Sequence, residues 1–118
     1  MIDLFIHDLE SQTISCDNYR KHGETLFKYK VIQPNTIHLI EYIAFKPRDA
    51  NKTGQFLCQL ADKYNVIMTG KAEPFWVGPS ATKREAFFKG MNLPRLLKWY
   101  EYYGFKILKD NKIIREPK

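Results

Sequence analysis

Four groups of residues in this chain have side chains that could do chemistry. Tyr100 carries a phenol, a group that titrates near 10 and can hand a proton to a leaving group held beside it. Glu41 and His38 lie in one apolar run, and either could take a proton, directly or through water. They sit three apart, and on an ideal strand that spacing sends them to opposite faces, so at most one reaches a common cleft. Gly54 opens an amphipathic stretch just after a polar segment that holds Arg48 and Lys52. A helix N-terminus there, with unpaired N–H groups and a glycine that allows close approach, suits a pyrophosphate. The last group is basic: Lys83, Arg84, Lys89, Arg95 and Lys98 interleave with Phe87, Phe88 and Trp99. That pattern serves to hold nucleic acid, a ligand phosphate or an acidic substrate, and equally to make a solvated basic face. Metal chemistry has no such support, because His7, His22 and His38 show no ligand spacing with one another or with Cys16 and Cys58. Neither GxSxG, Walker A nor GxGxxG occurs.

The elements that must position these groups belong to one domain, residues 1–118. A chain of 118 residues and 14.0 kDa is too short for two ordinary domains and long enough for one core without disulfides. With 44% hydrophobic, 14% aromatic and 27% charged residues it is globular in composition rather than disordered or fibrous. No apolar run approaches the ~20 residues of a membrane span, and the acidic N-terminal segment has no basic n-region of a secretory signal. Two cysteines without a CxxC suit a reducing compartment, so a soluble cytoplasmic protein is expected. The net charge of +6 is uneven: residues 1–59 hold 7 basic and 7 acidic side chains, residues 60–118 hold 12 and 6. A basic half points to an anionic partner or to a face kept charged for solubility.

Periodicity predicts strands over residues 2–7, where Ile2, Leu4 and Ile6 alternate with polar neighbours, and more weakly over 12–16. Residues 25–33 and 36–45, joined at Pro34-Asn35, read as an antiparallel hairpin. Phe56, Leu57, Leu60, Ala61 and Tyr64 repeat at helical spacing, with Asn51 or Thr53 as the N-cap. A strand over 65–72 follows. Residues 75–91 are the least regular stretch, with a short helix placed at 81–89. A helix over 92–103 then starts at Asn92 and stops at Gly104. Asp110-Asn111 joins two final strands. The order is β-β-β-β-α-β-(loop or short helix)-α-β-β, an α+β fold with a mixed, mostly antiparallel sheet and flanking helices.

That order, with particular residues at its joints, resembles the GNAT superfamily of acyl-CoA-dependent N-acetyltransferases, in a short form such as phages and mobile elements carry. The resemblance covers about residues 36–118. Residues 36–45 with the polar loop into Gly54 look like the family's fourth strand and pyrophosphate loop, and 65–74 like its fifth strand. Trp99-Tyr100-x-x-x-Gly104-Phe105 closely resembles the family's aromatic-Tyr-x-x-x-Gly-Phe helix end, and the tail from Ile113 resembles its last strand. The resemblance implies acetyl-CoA as co-substrate and an amine acceptor attacking the thioester directly. It places Tyr100 as the acid that protonates the departing thiolate and Glu41 as the base. It also implies backbone contacts to the cofactor at Ile43, Ala44 and Phe45, and at Lys52, Thr53, Gly54 and Gln55. The loop departs from the family pattern, with Asp49 and Lys52 at two of its key positions. The first 35 residues show no helix pair to build an acceptor pocket. An open cleft of that kind suits a macromolecular acceptor, such as a protein lysine, and is compatible with completion by a second subunit. The alternative is a GNAT-like fold without acetyltransferase activity, binding or modifying nucleic acid through its basic half. A third is an interaction protein that has lost the cofactor.

Overall fold

The computed structural model of the chain describes residues 2–44, 47–72 and 93–118. Residues 2–7 are helical, not extended: α1 spans Ile2–Ser11 and buries Ile2, Phe5 and Leu9. Those residues recur at spacings of three and four, the helical period, while Leu4 from the expected strand stripe is 56% exposed. The alternation of Ile2, Leu4 and Ile6 over so short a run fits both periods, and packing selects the helical one.

Four strands follow: β1 (Ile14–Cys16), β2 (Tyr19–His22), β3 (Thr25–Ile32) and β4 (Thr36–Ile43). Asp17 and Gly23 turn the chain between the first three with positive φ, at 55° and 60°. β2 lies in a segment whose turn residues hide it from a periodicity reading. Helix α2 spans Pro47–Tyr64 and so begins two turns before the expected start at Gly54. Pro47 is suited to the first helical position and Asp49 to the positive end of the helix dipole, so the polar segment folds as helix rather than loop. Asn65 ends it with φ 60°, and the Val66 N–H closes back on the Ala61 carbonyl at 2.9 Å. β5 (Ile67–Lys71) follows, and helix α3 (Leu93–Tyr102) leads into β6 (Lys106–Ile107) and β7 (Lys112–Arg115). Asp110 and Asn111, both at φ 61°, make the turn between the last two strands, as the sequence predicts. The short helix placed at 81–89 and the cap at Asn92 lie outside the described residues.

The strands form one sheet in the order β1-β2-β3-β4-β5-β7-β6. Every neighbouring pair is antiparallel except β4 with β5. The helices supply one continuous core with the sheet: Phe5 and Leu9 of α1, Leu57 and Ala61 of α2 and Leu96 of α3 meet Phe27, Ile37, Met68 and Ile113. All three described helices therefore cover the same face, with α2 in the middle. Asp8 of α1 accepts hydrogen bonds from Tyr64 Oη at 2.7 Å and Lys63 Nζ at 3.4 Å of α2. On the other flank the buried Arg115 grips the Asp62 carboxylate of α2 through both terminal nitrogens, at 2.9 and 3.1 Å.

Candidate functional site

The parallel junction between β4 and β5 is short. Thr36, Ile37 and His38 pair with Ile67, Met68 and Thr69, and among the described residues no strand pairs with β4 on that side beyond His38. His38 Nδ1 and Thr69 Oγ1, 2.9 Å apart, tie the last rung together. Gly70 comes next, and a Cβ there would stand 3.4 Å from the Leu39 carbonyl oxygen, so the strands are still close as the ladder ends.

Beyond that point, on the helix side of the sheet, lies an apolar cavity of about 20 Å³, walled by Leu39 and Tyr42 of β4, Leu57 and Cys58 of α2, and Tyr100 and Phe105 at the end of α3. This volume is about one water molecule's worth of space. Its roof is aromatic. Trp99 Cη2 stands 3.1 Å from where a Cβ on Gly54 would be, so Gly54 is what allows α3 to seat on α2. Trp99 Nε1 donates to Asn51 Oδ1 at 2.8 Å, and Tyr42 Oη donates to the Ala50 carbonyl at 2.6 Å. Burial holds the Tyr42 phenol well above its ordinary value, with the neighbouring Tyr100, Tyr103 and Cys58 adding to the effect, so Tyr42 is a proton donor to the helix backbone. Burial also pushes the Cys58 thiol up to about 11, which leaves it a packing group rather than a nucleophile.

Tyr100 owes its place to the way α3 ends. The Phe105 N–H bonds to the Tyr100 carbonyl at 3.1 Å and the Gly104 N–H to the Glu101 carbonyl at 3.0 Å, with Gly104 at φ 95°. This is the paired bonding of a Schellman cap, and the Tyr100 and Phe105 rings supply its apolar contact, edge to face at 5.3 Å. Tyr-x-x-x-Gly-Phe is thus a helix stop written in sequence, and it sets the Tyr100 ring at the cavity wall.

Glu41 is placed differently from the ideal-strand expectation. β3 and β4 slip register between Lys28 and Tyr29: Lys28 faces Glu41, but Tyr29 faces Leu39, so Ile40 is an extra residue. Across this bulge His38 and Glu41 share one face, the one turned away from the helices, instead of occupying opposite faces. There Tyr19 Oη donates to Glu41 Oε2 at 2.8 Å, and Lys28 Nζ lies 5.3 Å from the centre of the Tyr19 ring. Tyr100 and Glu41 are consequently on opposite faces of the sheet, separated by β4.

The residues singled out for a cofactor are dispersed. Ile43 and Ala44 are buried at the end of β4, and Phe45 lies outside the described residues. Lys52 and Gln55 are exposed on α2, whereas Thr53 and Gly54 are buried. The N–H groups of Lys52 to Gln55 fall past the first turn of α2, where helical bonding takes them; the open N–H groups of the first turn belong to Arg48 and Asp49, since Pro47 has none. Thr53 Oγ1 lies 2.7 Å from Nδ1 of His22, whose ring stacks on Phe56 at 4.4 Å, and burial lowers the His22 pKa. Sequence reasoning missed Tyr42, His22 and Tyr19. The only trace of the first was the lapse of alternation at Ile40-Glu41.

Among the described residues no three His, Cys, Asp or Glu side chains gather as a metal site, and no helix is long and apolar enough to cross a membrane. No family model, no curated protein and no solved structure matches the chain.

Proposed function

We infer that the chain is a short acyltransferase of the GNAT type, which moves an acetyl group from acetyl-CoA to an amine on a macromolecule. The observation that carries this reading is the three-rung β4–β5 ladder beside the Tyr100 cavity. Where the ladder stops, the edge of β4 from Leu39 to Ile43 offers backbone N–H and C=O groups to an extended ligand, and the pantetheine arm of CoA carries two amides that could pair with such an edge. The first-turn N–H groups of Arg48 and Asp49, with the exposed Arg48 side chain, are the anion-seeking end of α2 nearest that edge. Asp49 opposes a phosphate there, so the pyrophosphate would lie toward Arg48.

In this reading the amine nitrogen attacks the thioester carbon, the C–S bond breaks, and the thiolate takes the Tyr100 proton. The ammonium proton leaves through water toward Glu41 or His38. Because Tyr100 and Glu41 flank opposite faces, the reacting atoms would have to lie in the gap past the last rung, reached from both sides. Positioning in that gap supplies most of the rate. A cavity of about 20 Å³ holds about one water molecule, less than an acetyl group needs, so its aromatic wall would have to move as the thioester enters.

Thermal unfolding with acetyl-CoA, and with ATP as a polyanion control, tests this. Ligand at ~100 times its dissociation constant adds about 2.7 kcal/mol, a shift of several degrees at this size. A shift with acetyl-CoA alone supports the reading; an equal shift with ATP, or none with either, sinks it. Within it, Tyr100→Phe lowers kcat by roughly 100-fold while acetyl-CoA affinity stays within about twofold. Unchanged turnover removes Tyr100 from the mechanism.

A further inference from the structure

The face of the sheet that α1, α2 and α3 leave uncovered has a charge pattern fixed by strand register. On β2 and β3, Lys21 pairs with Leu26, two residues before Lys28, and Lys30 pairs with His38 of β4. Lys71 of β5 pairs with Lys112 of β7, and Lys106 of β6 pairs with Ile114. Directly paired residues share a face, and Phe27, Met68 and Ile113 between them point into the core, so Lys21, Lys28, Lys30, Lys71, Lys106 and Lys112 all point the other way. Glu41 is the one acid among the strand residues on that side, and its carboxylate is engaged by Tyr19. By register they fall on three rows, Lys30 and Lys106 level with His38 and Thr69, Lys28, Lys71 and Lys112 two residues along, and Lys21 four residues along, a patch about 24 Å across at ~4.8 Å per strand. Lys30, Lys71, Lys106 and Lys112 are exposed, and Lys21 and Lys28 half-buried.

We propose that this lysine patch docks on the phosphate backbone of a nucleic-acid duplex, without reading its sequence. A patch of amines facing one way meets the phosphates of a duplex with complementary charge, and each contact releases counterions. The strand residues on this face include no Arg, Asn or Gln, the side chains that read base edges through paired hydrogen bonds. Tyr19 is their one Tyr, Phe or Trp, and it is held between Lys28 and Glu41, so the face has no platform for stacking unpaired bases. For the same reason it has no Trp or Phe to anchor in a lipid surface. This surface is separate from the Tyr100 cavity and stands whether or not the chain transfers an acetyl group.

The test is binding of the full chain to a random-sequence 20-base-pair duplex, measured by fluorescence anisotropy between about 50 and 300 mM salt. Lys30→Ala with Lys112→Ala replaces two exposed side chains that make no core contact. It should lower the slope of log K against log salt by about 2 and weaken binding at ~0.1 M salt roughly 50-fold. Lys63→Ala with Lys98→Ala removes the same charge from the helix layer and should leave the slope within about 0.5 of wild type. Equal losses in the two pairs would show that net charge alone acts, and overturn the assignment. So would an absence of duplex binding at 50 mM salt, tighter binding to single strands than to duplex, or binding only to anionic vesicles.

Discussion

Phe27 and Lys28 are neighbours on one strand and live in different solvents. Phe27 is fully buried beneath the helices, while Lys28 lies half-buried on the far side with its amine over the Tyr19 ring. The two faces hold their polar groups differently as well. On the helix side, the Tyr42 and Tyr103 phenols fasten β4 and α3 to the α2 carbonyls of Ala50 and Asn51, and the Trp99 indole donates to the Asn51 side chain. On the far side, side chains pair along the sheet, Tyr19 with Glu41 and His38 with Thr69, and leave amines pointing outward. The fold thus has a helical cover on one face and, on the other, lysines set among Leu26, Ile67, Ile114 and the buried Ile43. Stability resides in the first, and the capacity to meet an anionic surface in the second.

The sharpest way to break that comparison is a pair of adjacent substitutions. Phe27→Ala should destabilise by about 3–5 kcal/mol, and Lys28→Ala by under about 0.5, measured by urea unfolding. Comparable losses would mean that the far face is itself part of the core. Next comes the clamp at the edge of the cover. Arg115 donates its Nε–H to the Tyr103 carbonyl at 2.6 Å while both terminal nitrogens hold Asp62, which also accepts the Lys118 N–H. Arg115→Ala leaves that carbonyl without its charged donor. Since Asp62 keeps 31% exposure, a loss of about 2–3 kcal/mol is expected rather than the full value of a buried pair. A loss below about 0.5 kcal/mol would show that β7 and α3 hold together by apolar contact alone.

The smallest effect is one of pH. Hydrogen bonds from Arg115, opposed by partial burial and joined by the Lys118 N–H, hold the Asp62 carboxyl below its ordinary value. The folded pKa is depressed, so the stabilisation is complete above the ordinary carboxylate value near 3.9 and is lost as pH falls through the lower folded value. Asp8 behaves likewise, held down by the Tyr64 hydroxyl first and by Gln12 next. Thermal midpoints followed from pH 5 to pH 2.5 should therefore fall less steeply in Asp62→Asn than in wild type. Parallel curves would mean that Asp62 has no preferential partner in the folded state.

The sequence made some of this legible, for reasons that differ from residue to residue. The long apolar runs gave away β3 and β4, and the Asp110-Asn111 turn gave away the last hairpin, because turn chemistry and alternation are local. Gly104 was readable as a stop because a positive φ has few other occupants. Residues 2–7 read as a strand because six residues of alternation fit either period, and the burial of Phe5 and Leu9 with Leu4 exposed selects the helix. The start of α2 escaped because a polar first turn satisfies a helix end as well as a loop. The sharing of a face by His38 and Glu41 could not be had from spacing at all, since it depends on the partner strand's register.

That extra residue at Ile40 has a consequence for anyone aligning or redesigning this chain. A strand counts in twos, and the bulge changes odd to even midway along β4. Counting from Thr36 without it puts Tyr42 outside and Glu41 inside, the reverse of what is found. Removing Ile40 would return the strand to regular alternation and still leave Glu41 outside and Tyr42 inside, while straightening the bulge with all residues kept would exchange the two. Position along β4 is therefore read from the partner strand rather than from the count, and a regular strand one residue shorter would present the same faces.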